Sequence, residues 1–125
     1  PVDAETRKFL AGVMKKHFVF ATLEESAYDS IFIAMKRNDF HKGDVVFSQG
    51  EAGDSCYFIR SGRFSVTIDN CGVKELGPND TFGELALLYQ MLRSATITCM
   101  EPGEVWRMSS QKLNWCMETL NPSTA

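Results

Sequence analysis

The strongest constraint on the fold is the rhythm of turns through the middle of the chain. Lys42-Gly43-Asp44, Gln49-Gly50-Glu51, Ser61-Gly62-Arg63, Asp69-Asn70-Cys71-Gly72 and Gly77-Pro78-Asn79-Asp80 follow one another at short intervals. Between them lie apolar, β-branched pieces at residues 45–47, 56–59, 64–68 and 73–76. Phe64, Val66 and Ile68 alternate with Ser65 and Thr67, the period of a strand with one buried face. The pattern resumes at residues 95–99, turns at Glu101-Pro102-Gly103-Glu104 and continues through residues 105–108. Short strands about every 8 to 12 residues, separated by glycine turns, predict a sandwich or a jelly-roll barrel.

The flanks have a different period. Phe9, Leu10, Val13, Met14 and His17 recur at helical steps and predict a helix over residues 5–16. Residues 18–20 form an apolar plug, and Thr22-Leu23-Glu24-Glu25 reads as a capping box. The helix it opens is expected to reach about Lys36, with Ala27, Ile31, Ala34 and Met35 inward. Ser109 is a candidate N-cap for a last helix ending near Leu120. These readings give one α+β domain: helices over 1–38, a β-barrel over 39–108 interrupted by a short helix, and a helix over 109–121.

Composition narrows the function. At 125 residues, 44% hydrophobic and 23% charged, the chain is expected to be one globular domain. No run approaches the roughly 18 apolar residues of a membrane span, and the first residues lack a signal peptide's apolar stretch. A cytoplasmic setting is therefore expected. The net charge of −3 argues against a nucleic-acid partner, which needs a basic face. Cys56, Cys71, Cys99 and Cys116 are widely spaced, and with His17 and His41 they form no metal motif. They are expected to be reduced thiols, two of them in apolar or alternating runs. Trp106 and Trp115 are expected in the core, and no nucleophile–base pair or carboxylate pair suggests catalysis.

One segment remains unexplained by folding alone. Residues 82–96 are rich in apolar side chains yet hold one acid, Glu84, and one distant base, Arg93. Gly83 precedes a run of strong helix formers, so the N–H groups of Leu85 and Ala86 would lack intrahelical partners. Free N–H groups at a helix start attract an anion, and an arginine fork suits a phosphate. Glu84 cannot bind an anion, but it can accept a hydrogen bond from a sugar hydroxyl. Acid and arginine together describe a nucleotide receptor. The competing reading is a structural ion pair between the two. Such a pair contributes about 0–1 kcal/mol when exposed. Buried alone, it struggles against its own desolvation.

The string F-G-E-L-A-L-L-Y…R-S-A-T resembles the phosphate-binding cassette of cyclic nucleotide-binding domains. It is most similar to those of cyclic AMP-dependent protein kinase regulatory subunits and cyclic GMP-dependent protein kinases. Residues 16–23, 42–44, 49–54 and 58–62 extend the likeness over essentially the whole chain. The resemblance implies an eight-stranded jelly-roll β-barrel with N-terminal helices, a short cassette helix and a C-terminal helix. It implies that Glu84 accepts from the ribose 2′-hydroxyl and that Arg93 pairs with the cyclic phosphate. Backbone N–H groups of Gly83, Leu85, Ala86 and Ala95 would line the phosphate pocket, with Val66 and Leu76 as candidate base contacts. Where many members carry proline before the arginine, this chain has Leu92. Ser94 bears on the choice between cyclic AMP and cyclic GMP, because a hydroxyl there can reach the guanine amino group. The implied partner is a protein kinase catalytic domain, on the same chain or another, and the cyclic AMP-dependent regulatory subunit is the preferred reading. A domain that kept the barrel and lost the ligand is the alternative from another class.

Overall fold

The computed structural model describes residues 3–16, 28–83 and 92–111. Helix α1 (Ala4–Lys16) begins where the Asp3 carboxylate accepts the Thr6 N–H at 2.8 Å. Acidic Glu5 and basic Lys15 and Lys16 sit at the ends where the helix dipole favours them. Leu10, Val13 and Met14 are buried along its apolar face, as their spacing predicts. Helix α2 (Tyr28–Ala34) buries Tyr28, Ile31 and Phe32. The capping box, His17 and Ala27 lie outside the described residues, as does the expected last helix beyond Gln111.

Eight strands follow among the described residues: β1 (Lys36–Phe40), β2 (Val45–Phe47), β3 (Ser55–Ile59), β4 (Arg63–Ile68), β5 (Cys71–Leu76), β6 (Thr81–Phe82), β7 (Thr96–Glu101) and β8 (Gly103–Ser109). They form two four-stranded sheets of order β1-β8-β3-β6 and β2-β7-β4-β5, with every pairing antiparallel.

Two expectations need correction. The second helix stops at Ala34, and residues from Lys36 onward are strand. Lys36 to Phe40 pair with Arg107 to Gly103, so ladder bonds to β8 override the helical propensity of lysine and arginine. β1 lies at a sheet edge, where charged side chains such as Lys36 and Arg37 are at home. Ile68, expected inside with Phe64 and Val66, is 37% exposed. The register of β4 on β5 shifts between Val66 and Thr67, and such a bulge breaks the two-residue alternation. The two-residue strand β6, which the sequence pattern gave no sign of, places Phe82 opposite Tyr57.

The core has two compartments separated by the first sheet. Tyr57, Ile59, Phe64, Val66, Leu76, Phe82, Ala95, Ile97, Cys99 and Val105 cluster between the sheets. On the other face Cys56, Phe58, Trp106 and Met108 pack with Leu10, Met14, Ile31 and Phe32 of the helices. Alternate residues of β3 therefore serve opposite compartments, and all five of its residues are buried. Among the described residues no helix covers the outside of the second sheet, and β5 shows only Leu76 buried. Cys56, Cys71 and Cys99 are not in disulfides. No helix among the described residues is long and apolar enough to cross a membrane.

Candidate functional site

Arg93 enters the structure through its neighbour Leu92, which forms an isolated bridge with Ala52. The Arg93 N–H donates to the Glu51 carbonyl at 2.7 Å, and the Arg93 carbonyl accepts the Gly50 N–H at 2.8 Å. The turn after β2 thus grips the arginine backbone from both sides. Ser94 is exposed, Ala95 is buried in the inter-sheet cluster, and β7 starts one residue later.

The guanidinium goes inward, and the residue is 9% exposed. Its Nη2 donates to the Ser55 carbonyl at 2.8 Å, and its Nη1 reaches the Gly83 carbonyl at 3.5 Å. Cζ lies 4.0 Å from the centroid of the Phe47 ring, a close cation–π contact. Two glycines make room for it. A methyl group on Gly53 would lie 2.3 Å from Nε, and one on Gly83 would lie 2.8 Å from Nη1. Gly83 also adopts φ +78°, a region that other residues rarely enter.

The electrostatics of this arrangement are unbalanced. Burial pulls the Arg93 pKa down from its ordinary value, and the nearby Tyr57, Asp54 and Glu51 only partly oppose it. No carboxylate among the described residues lies within ion-pair distance of Arg93. The Glu51 carboxylate is engaged elsewhere, accepting the Ser48 N–H at 2.8 Å. Nε is buried without a hydrogen-bond partner. A buried donor left unmatched costs about 1–3 kcal/mol, so it needs a reason. Here it belongs to a planar cation whose fork is half used.

Of the residues singled out in the sequence, Gly83 and Arg93 are brought together, with Ser94 and Ala95 beside them. Val66 and Leu76 lie in the inter-sheet cluster that also holds Ala95. Glu84, Leu85 and Ala86 lie outside the described residues. Phe47, Gly53 and Ser55 are neighbours of Arg93 that no site assignment from the sequence included. In the sequence Phe47 signals only a strand, and the Ser55 carbonyl carries no side-chain signature. Phe82 and Tyr57 stack at 5.0 Å beside Phe47, completing an aromatic wall near the arginine.

Two stacked antiparallel sheets with one buried, half-used arginine at a glycine-lined turn define the class of domain. The chain belongs to the cyclic nucleotide-binding domain family, whose sequence model matches residues 37–120. It is 34% identical over 111 residues to the cAMP-dependent protein kinase type II regulatory subunit of Drosophila melanogaster, covering 89% of this chain and 29% of that protein. It is 41% identical over 99 residues to a cGMP-dependent protein kinase of Eimeria tenella, covering 79% of this chain and 10% of that protein. Among solved structures, the regulatory domain of Toxoplasma gondii PKA with cAMP aligns with a TM-score of 0.83 at 27% identity, over 97% of this chain and 48% of that one. The chain spans less than a third of the length of these curated relatives.

Proposed function

We propose that this domain binds a cyclic nucleotide and relays its presence as an allosteric signal to a protein kinase catalytic domain, within a cAMP-dependent protein kinase regulatory subunit. The observation that carries the reading is the buried Arg93 guanidinium with an unpartnered Nε. A cyclic phosphate supplies both the negative charge and the acceptor that this fork lacks. In this reading Glu84 accepts from the ribose 2′-hydroxyl, and the N–H groups of Gly83, Leu85, Ala86 and Ala95 complete the phosphate pocket. Val66 and Leu76 bound the base. The two sheets close as a jelly-roll barrel, residues 82–96 form the cassette, and residues 109–121 form a final helix. The chain itself is a regulatory binding module, working in the cytoplasm without nucleic acid.

Binding draws the cassette helix toward the phosphate, and the final helix repacks against the barrel. Any kinase surface that prefers the unliganded arrangement is then released to the degree that it weakens nucleotide binding. A second reading places the domain inside a cyclic GMP-dependent kinase. It is supported by the 41% identity to such an enzyme and by the exposed position of Ser94.

Calorimetric titration with cyclic AMP and cyclic GMP tests the site and orders the two readings. Arg93→Ala is expected to cost about 2–5 kcal/mol of binding, since a desolvated phosphate loses its charged partner. Arg93→Lys should recover part of that, because it restores charge without the planar fork. Unchanged affinity in a folded Arg93→Ala protein refutes the assignment.

A further inference from the structure

The turn that grips Arg93 is itself held from outside. The Gln49 side chain makes two hydrogen bonds to one residue of the β4–β5 hairpin. Its Oε1 accepts the Asp69 N–H at 2.8 Å, and its Nε2 donates to Asp69 Oδ1 at 3.1 Å. Asp69 and Asn70, with φ of +52° and +66°, are the two residues between β4 and β5. Positive φ at both central positions is the mark of a tight hairpin turn whose shape is fixed. The Gln49 N–H donates to Thr96 Oγ1 at 2.9 Å, at the first residue of β7. The next two residues, Gly50 and Glu51, hold the Arg93 carbonyl and N–H. Thus one polar side chain joins a rigid hairpin to the only main-chain partners that Arg93 has among the described residues.

We propose that Gln49 is a positioning residue for Arg93, acting through its paired hydrogen bonds with Asp69. The proposal rests on Arg93 being the anion-binding group. Gln49 is exposed and makes no hydrogen bond to the guanidinium, so it works on the position of the turn and not on the ligand. The turn is short, and Gly50 stands at φ +90°, so a small rotation at Gln49 moves the Arg93 backbone directly. A guanidinium seated between Phe47, Gly53 and Gly83 tolerates little such movement before its fork is misaligned. By reciprocity, a bound anion that fixes Arg93 also favours the Gln49–Asp69 pairing, which links nucleotide occupancy to the tip of the β4–β5 hairpin.

The test is a cycle of variants in this 125-residue chain, titrated with cyclic AMP and cyclic GMP. Gln49→Ala and Gln49→Glu should each weaken both nucleotides by about three- to tenfold, the worth of a displaced hydrogen bond. In the Gln49→Glu, Asp69→Asn double variant the donor and acceptor of the side-chain bond are exchanged and both bonds can re-form. It should return to within about twofold of the starting affinity. Melting temperatures without nucleotide should shift by no more than a few degrees and should not follow the order of the affinities, whereas a merely structural role would move the two together. Equal affinity in Gln49→Ala, or a double variant no better than Gln49→Glu, overturns the proposal. Arg93→Ala serves as the control. If it binds normally the nucleotide site lies elsewhere and both readings fall, whereas its loss alongside a normal Gln49→Ala overturns only the positioning role.

Discussion

Replacing Gly53 with alanine separates the position of Arg93 from its charge. The added methyl group would lie 2.3 Å from Nε, 2.5 Å from Cζ and 2.8 Å from Cδ of Arg93. Ordinary contact begins near 3.4 Å, so the guanidinium must withdraw by about 1 Å. Phe47 lies 4.0 Å away on one side, and Gly83 with the Ser55 carbonyl closes another. A shift of about 1 Å stretches the 2.8 Å bond from Nη2 to the Ser55 carbonyl beyond hydrogen-bonding range. The displaced fork then forfeits either that bond or its equivalent to a bound anion. Hydrogen bonds to charged groups contribute about 1.5–3 kcal/mol, which corresponds to roughly 10- to 150-fold in affinity. Gly53 does not occupy the left-handed region, so its backbone accepts alanine. Restricting the unfolded chain returns about 0.4–1 kcal/mol, which offsets only part of a lost Ser55 bond, so the melting temperature should fall by a few degrees without loss of the fold. Calorimetric titration with both cyclic nucleotides, paired with thermal melting, gives the two numbers needed. Binding within twofold of the unmodified chain refutes the reasoning. So does outright unfolding, which would mean the fold and not the arginine feels the methyl group.

Two further outcomes test the packing around the site. Gly62→Ala should destabilise the protein by at least about 1–3 kcal/mol in a denaturant titration, since Gly62 has φ +93° and its methyl group would meet Gly103 Cα at 2.6 Å. In a thiol-labelling experiment read by mass spectrometry at neutral pH, exposed Cys71 should react well before buried Cys56 and Cys99. Burial raises the Cys99 pKa, so its thiol stays protonated to higher pH and its labelling should accelerate only as pH rises further.

The sequence exposed the strands that announce themselves by pattern and concealed those that do not. β3, β4, β7 and β8 carry apolar or alternating residues bounded by turns, and they lie within about two residues of where those signals put them. β1 reads Lys-Arg-Asn-Asp-Phe, with almost no apolar content, and is a strand because β8 offers it a ladder. β6 is two residues long, too short for any period to register. At the site, Arg93 was legible because a lone cation in an apolar segment is costly and demands a reason. Its surroundings were not legible, because they consist of a carbonyl on Ser55, the absent side chain of Gly53 and the face of Phe47. Those features exist only once distant turns have been folded together. The bulge that turns Ile68 outward belongs to the same kind, since it arises from the register between two strands and from neither strand alone.

The strand β3 has no face turned to solvent. Cys56 and Phe58 meet the helices, Tyr57 and Ile59 meet the opposite sheet, and Ser55 offers its carbonyl to Arg93. Every substitution along it therefore answers to one packed compartment or the other and none answers to water, whereas most of β5 is exposed. The chain's freedom to diverge is lopsided as a result. Partner preference can drift on the outer sheet and on the exposed helix surfaces at little cost, while the strip linking the helical layer to the arginine is held almost fixed from either side.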